Sequence, residues 1–122
     1  MSGKAAPQDN PAKGRAGEER AECFLREKGM RILARNYRTR TGEIDIIALD
    51  GETVVFAEVK TWSALDFADL EQSIDRKKQK RIIETAKYFL ASHREYNGMD
   101  VRFDVLFLDI LDIKHIESAF LE

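Results

Sequence analysis

Four side chains in the first half of the chain have the types and spacing for metal-assisted hydrolysis. Glu43 and Asp45 lie two apart in the run EIDIIAL, and Glu58 and Lys60 lie two apart in TVVFAEVK. Residues two apart on a strand share a face, so each pair points one way. Asp50-Gly51 between the runs is a hairpin signal, which makes the strands antiparallel neighbours. An even-numbered hairpin loop then puts all four groups on one face. A two-residue loop sets Glu43 opposite Glu58 with Asp45 diagonal to it, and a four-residue loop sets Asp45 directly opposite Glu58. Opposed Cβ atoms stand roughly 5 Å apart and diagonal ones about 7 to 8 Å. Either register brings Asp45 and Glu58 within reach of one ion.

The other face of this hairpin carries Ile44, Ile46, Ala48, Val55, Ala57 and Val59, and calls for a helix against it. On the polar face, Ile47, Leu49, Val54 and Phe56 continue from the carboxylates, so the charges occupy one end of an apolar surface. Grouped carboxylates repel and are costly when partly buried unless a cation sits among them. A divalent metal together with the Lys60 ammonium would supply that charge. Hard oxygen donors with no Cys or His among them favour Mg²⁺ or Mn²⁺ over zinc. Such a metal beside a lysine can activate water and neutralise the charge that grows on a phosphate. The bland alternative is a solvated strand face with a cross-strand ion pair.

Several elements must position these groups. Residues 1–13 are polar and aperiodic, and read as a flexible tail. A single domain over 14–122 then opens with a helix from Gly14 to Gly29, with Glu18 and Glu19 in its first turn, where the helix dipole favours anions. Strands are expected at 31–38, 43–49 and 53–60. Asp75 caps a long helix whose residues Gln79, Ile82, Ile83, Ala86, Phe89 and Leu90 recur on one face, ending near Asn97-Gly98. A strand at 101–108, buried on both faces, and a short one at 113–118 complete the chain. A long helix between the third and fourth strands implies a crossover, hence a mixed sheet with helices packed against it.

Asp45 followed by Glu58-Val59-Lys60 resembles the D…ExK motif of the PD-(D/E)XK nuclease superfamily. More closely, Gly14-Arg-Ala-Gly17-Glu18 with Ala21, Ala34-Arg35-Asn36, Gly42-Glu43-Ile44-Asp45, Glu58-Val59-Lys60 and Arg102-Phe103-Asp104 resemble the YraN-like family of uncharacterised proteins within it. The resemblance spans about residues 14 to 120. It implies an α/β, restriction endonuclease-like αβββαβ core with a mixed central sheet flanked by helices. It implies Asp45 and Glu58 as metal ligands with the Val59 carbonyl as a third, and Lys60 as the group that positions water or stabilises the transition state. Glu18 matches a helix-borne acid that in this superfamily often reaches the metal. Trp62 departs from the pattern, standing where a basic residue is expected, and its ring could instead stack on a base.

With 20 Lys and Arg against 22 Asp and Glu in 122 residues, the formal charge of −2 gives nucleic-acid binding no support as a total. Its distribution differs. Residues 13–40 and 76–97 are each net +5 and flank an acidic 41–75 at −8. Within the second basic segment, Arg76, Lys77, Lys78, Lys80 and Arg81 crowd the first turns of a helix, where cations oppose the dipole. A nearby polyanion would explain them, with Lys80 the best placed. The expected protein is therefore a Mg²⁺- or Mn²⁺-dependent endonuclease acting on DNA, by analogy with resolvases on branched or junction DNA in repair or recombination. The alternatives are a non-catalytic nucleic-acid-binding module working with a DNA-processing partner, and a charged interaction domain that meets no nucleic acid. Nothing in the sequence separates DNA from RNA. Cutting both strands would require a homodimer. One cysteine allows no internal disulfide, and no stretch approaches the roughly 18 apolar residues of a membrane span, which makes the cytoplasm the expected compartment. Asp104, mid-strand among apolar residues, is expected to pair with Arg102 or another base, and Cys23 and His115 to be structural.

Overall fold

Apolar alternation along the strands, with helices to cover both sides, dictates how this chain packs. A computed structural model describes residues 14–61 and 74–121. In chain order these form α1 (Arg15–Glu27), β1 (Arg31–Thr39), β2 (Gly42–Asp50), β3 (Thr53–Thr61), α2 (Arg76–Ser92), a 3₁₀ turn (Arg94–Tyr96), β4 (Asp100–Leu108) and β5 (Ile113–Phe120). The expected tail at 1–13 and Trp62 lie outside the described residues. The five strands line up in sequence order. β3 and β4 run parallel and every other neighbouring pair antiparallel, so α2 is the crossover the sequence implied. This is the restriction endonuclease-like αβββαβ order with β5 added at the edge.

The two sheet faces bury different helices. Ala21 and Leu25 of α1 pack with Ile46, Ala48, Val55, Ala57, Val59, Leu106 and Leu108. Ile82, Ala86 and Phe89 of α2 pack with Ile47, Val54, Phe56, Phe103, Val105 and Phe107 on the opposite face. Asp75 caps α2 as its type and place predict, accepting from the Lys78 N–H at 2.8 Å. The helix stops at Ser92, before the expected Asn97-Gly98. His93 leaves helical geometry, stacks on Phe89 at 4.0 Å between ring centroids, and holds Nδ1 2.8 Å from the Phe89 carbonyl.

The β2–β3 hairpin turns one residue later than Asp50-Gly51 suggests. Asp50 pairs with Thr53, so the loop is Gly51-Glu52, with Gly51 at φ +63°. Asp50 instead turns its carboxylate to Arg102 Nη1 at 3.1 Å. The register that follows runs from Leu49↔Val54 to Ile46↔Ala57, so Asp45 and Glu58 stand just past its last rung.

On β4, Asp104 is 1% exposed. It accepts from Arg102 Nε at 3.0 Å and the Ser118 N–H at 3.0 Å, and faces His115 Nε2 at 2.8 Å. Ser118 adopts φ +52° in a stretch of β5 where the register to β4 shifts, so the edge strand bulges around this carboxylate. Burial alone would raise the Asp104 pKa, but hydrogen bonds with His115, Arg102 and the Ser118 backbone outweigh it and hold the carboxyl below its ordinary range. Burial also opposes the Arg102 charge, and its bonds to Asp104 and Asp50 more than compensate. With a folded pKa below the unfolded value of about 3.9, this contribution to stability is present above that value and is lost as pH falls through the folded pKa. Asp104→Asn should therefore cost about 3–5 kcal/mol at pH 7. The gap from wild type should narrow steadily below about pH 4 in urea denaturation, and a pH-independent gap would contradict the assignment.

Candidate functional site

Beyond Ile46↔Ala57 the ladder between β2 and β3 ends although both strands continue. β2 stays with β1 through Tyr37↔Ile44, Arg38↔Glu43 and Thr39↔Gly42. β3 stays with β4 through Glu58↔Val105 to Thr61↔Leu108. The sheet forks, and Asp45 and Glu58 stand at the crotch. Asp45 is fully buried, and its Oδ2 accepts the Val59 N–H at 2.8 Å, reaching the peptide that joins Glu58 to Val59. A side chain thus takes a donor on the strand with which the ladder has just ended.

The fork also breaks the alternation of β2. Ile44, expected beside Ile46 on the α1 face, joins the α2 cluster with Ile47. Along β3 the alternation holds, so Lys60 shares the α2 side with Glu58 and Phe56. Glu58 is 2% exposed, and Lys78 Nζ of α2 lies 2.7 Å from its Oε2, close in distance but not aligned as a hydrogen bond. Of the basic run expected to meet phosphate, Lys78 therefore turns inward. Arg76, Lys77, Lys80 and Arg81 are exposed.

Glu18 is 7% exposed in the first turn of α1, and its Oε1 accepts from Asn36 Nδ2 at 3.0 Å. Asn36 lies between the rungs Arg35↔Ile46 and Tyr37↔Ile44, which places it across from Asp45, and it adopts φ +52°. Asparagine is enriched in this left-handed region, where most residues are strained. By register Asn36, Asp45 and Glu58 fall in one row across three strands, with Glu18 over Asn36 from the α1 side and Lys78 reaching Glu58 from the α2 side. Asn36 went unassigned in the sequence reading, although it falls within the Ala34-Arg35-Asn36 match.

Among the described residues, no three His, Cys, Asp or Glu side chains converge as a ready ligand set. The two carboxylates at the fork do suit Mg²⁺ or Mn²⁺ chemically. Such ions are commonly held by one or two carboxylates and keep several waters. Glu43 is half-buried and pairs with Arg38 at 3.7 Å, a neighbour of the row and not a member of it.

A second feature escaped the sequence reading. Arg38, Thr39, Arg40, Thr41, Gly42, Glu43 and Arg81 line an open hollow of about 490 Å³. The β1–β2 turn forms one wall and α2 the other. Thr41 Oγ1 lies 3.0 Å from Thr85 Oγ1, which is fully buried and donates to the Arg81 carbonyl at 2.8 Å. A Cβ added at Gly42 would come within 3.3 Å of Thr85 Oγ1 and 3.4 Å of Arg81 Cβ, tighter than ordinary contact, so glycine lets the turn close on the helix without displacing them. The basic turn Thr39-Arg40-Thr41-Gly42 was the available signal.

Removing the Lys78 ammonium would leave Glu58 buried without this counter-charge. Because Lys78 is 35% exposed, Lys78→Ala should cost less than a fully buried pair, about 1–3 kcal/mol at pH 7, and Lys78→Arg should recover most of it. Urea denaturation of the two variants checks this. Equal stability of Lys78→Ala and wild type would show that the ion pair contributes nothing.

The family model described as Uncharacterised protein family UPF0102 matches residues 17–108. A UPF0102 protein of Treponema pallidum strain Nichols is 48% identical, the match covering 93% of this chain and 96% of its own. One from Persephonella marina is 45% identical over 88% of this chain and 92% of its own. Among solved structures, Pyrococcus furiosus SfsA in complex with Ca²⁺ is 17% identical with a TM-score of 0.30, covering 88% of this chain and 63% of that one. That likeness is too slight to bear on function.

Proposed function

This chain belongs to the Uncharacterised protein family UPF0102, and from that premise we propose that it hydrolyses phosphodiester bonds of nucleic acid, with DNA the leading substrate. The observation that carries the reading is the fork: two buried carboxylates on diverging strands, with a lysine two residues beyond one of them on the same face. Buried like charges are costly, and a fold that spends strand pairing to gather them has a use for the cluster.

Asp45 and Glu58 would hold a magnesium or manganese ion, with the Val59 carbonyl beside them. When bound, the ion would supply a Lewis acid that eases deprotonation of water and draws charge from a phosphoryl oxygen. Lys60 would donate its ammonium hydrogens to the attacking water or to a non-bridging phosphate oxygen, where negative charge grows in the transition state. Glu18, through Asn36, holds β1 at the level of the fork. Lys78 keeps Glu58 neutralised beforehand, and its flexible stem then lets the ammonium turn to the substrate. The exposed bases of α2 would follow the strand backbone. Junction or flapped DNA is the substrate class that the resolvase analogy suggests, and a cut on both strands would use two copies of the chain related by symmetry. The proposed site of action is the cytoplasm, where such DNA is met in a bacterial cell. No helix among the described residues is long and apolar enough to cross a membrane.

A second reading keeps the fold and the DNA contacts but drops the chemistry, the chain serving a larger DNA-processing partner. The Lys78–Glu58 ion pair and the lack of a third converging His, Cys, Asp or Glu side chain among the described residues favour it. Incubating linear, flapped and branched DNA with protein and Mg²⁺ or Mn²⁺ separates the two. The nuclease reading expects cleavage that falls at least about 100-fold in Asp45→Ala, Glu58→Ala and Lys60→Ala, as loss of a principal electrostatic group does. Cleavage unchanged in Asp45→Ala or Lys60→Ala would sink it. Metal-independent DNA binding that survives Glu58→Ala, without cleavage by wild type, would establish the module.

A further inference from the structure

We propose that the hollow between the β1–β2 turn and α2 is a subsite for a non-scissile phosphate of the nucleic-acid strand engaged at the fork. The inference rests on the nuclease reading and adds to it the path of the strand.

The hollow has the chemistry of a phosphate site. Three arginines, Arg38, Arg40 and Arg81, line it against the single acidic residue Glu43, and the Thr41 hydroxyl bonds to those of Thr39 and Thr85. Guanidinium donors match phosphate oxygens in geometry as well as charge. Arg38 leans towards Glu43 at 3.7 Å. Among the described residues, Arg40 and Arg81 have no ion pair, and both are exposed. Both guanidinium groups are therefore available to an anion that enters the hollow.

The hollow is also built. The buried Thr85 ties the Thr41 hydroxyl to the Arg81 carbonyl, and Gly42 permits the close approach. The walls carrying Arg40 and Arg81 are therefore fixed relative to each other before any ligand arrives, which lowers the ordering cost of binding.

Its place ties it to the fork. Lys78 and Arg81 are three apart on α2 and so are neighbours on the helix surface. The first reaches Glu58 and the second lines the hollow. Glu43 borders the hollow, and Asp45 lies two residues further along the same strand, roughly 7 Å away. A strand whose phosphate sits at Asp45 and Glu58 would carry a neighbouring phosphate towards Arg81 and Arg40. The open mouth suits a polymer passing across it better than a small free anion, which would need enclosure to be held.

The test is binding of a fluorescent branched oligonucleotide in EDTA, where no turnover occurs, at several salt concentrations. Arg40→Ala and Arg81→Ala should each bind three- to tenfold more weakly at about 0.1 M salt, and each should lower the slope of log affinity against log salt by about one. Lys87→Ala, the same charge change on the outer face of α2, should bind within about twofold of wild type by the same reasoning. Thermal melting of all three should match wild type, since the side chains are exposed. If wild type binds DNA and the two arginine variants bind alike with unchanged slopes, the subsite is overturned while the nuclease reading stands. If wild type binds no DNA in EDTA even at low salt, the subsite falls, and cleavage with Mg²⁺ or Mn²⁺ decides the nuclease reading separately. Titration with inorganic phosphate decides the source of the anion. Saturable binding below about 10 mM that is lost in Arg81→Ala would overturn the strand subsite in favour of a free phosphate; no saturation is the expected result for an open site whose affinity comes from a polyanion.

Discussion

The fold turns on the hydrogen bond from the Val59 N–H to Asp45 Oδ2. A carboxylate with no exposure must be hydrogen-bonded or its desolvation is prohibitive. Here the donor comes from the neighbouring strand, two residues past its last backbone pair, where β2 and β3 part at Ile46↔Ala57. Other features follow from that parting. Ile44 swings to the α2 face, β1 travels with β2, and the start of β2 closes on α2 through Gly42 and the Thr41–Thr85 contact.

The charge on α2 fits the same geometry. Bases in the first turns of a helix oppose the positive end of its dipole, at a cost of some tenths of a kcal/mol to about 1 kcal/mol each. Lys78 recovers this through Glu58. Arg76, Lys77, Lys80 and Arg81 remain exposed at a helix end that already attracts anions. A polyanion lying across that end would meet both the dipole and the side chains.

The strands, the crossover helix and its Asp75 cap were legible, because each follows from local periodicity or from residue type at a fixed offset. The register was left between two alternatives, and long-range contact decided it. Asp50 belongs to the ladder because Arg102, distant in sequence, claims its carboxylate, and that moves the turn to Gly51-Glu52. Ile44 was misplaced because strict alternation presumes a continuous ladder, and the fork interrupts it. Asn36 and the hollow were missed for a related reason. Neither is a pattern along the chain: Asn36 matters only because Glu18 comes down on it, and Arg40 only because Gly42 brings its turn against α2.

Among the described residues two buried aspartates, Asp45 and Asp104, sit where strand pairing is disrupted, and the contrast between them indicates which is structural. Asp104 draws the Ser118 N–H out of register just as Asp45 draws that of Val59. The groups that hold Asp104 are the Arg102 guanidinium and the His115 ring, whose side chains are 17% and 2% exposed, rigid and planar with no room to leave. At the fork, the counter-charge to Glu58 is a lysine, a third exposed, on a flexible stem rooted in a neighbouring element. A fixed, planar cation locks a carboxylate into the scaffold. A mobile ammonium stabilises one while leaving it able to change partners, which is what a carboxylate needs if it is to bind an ion and later release it.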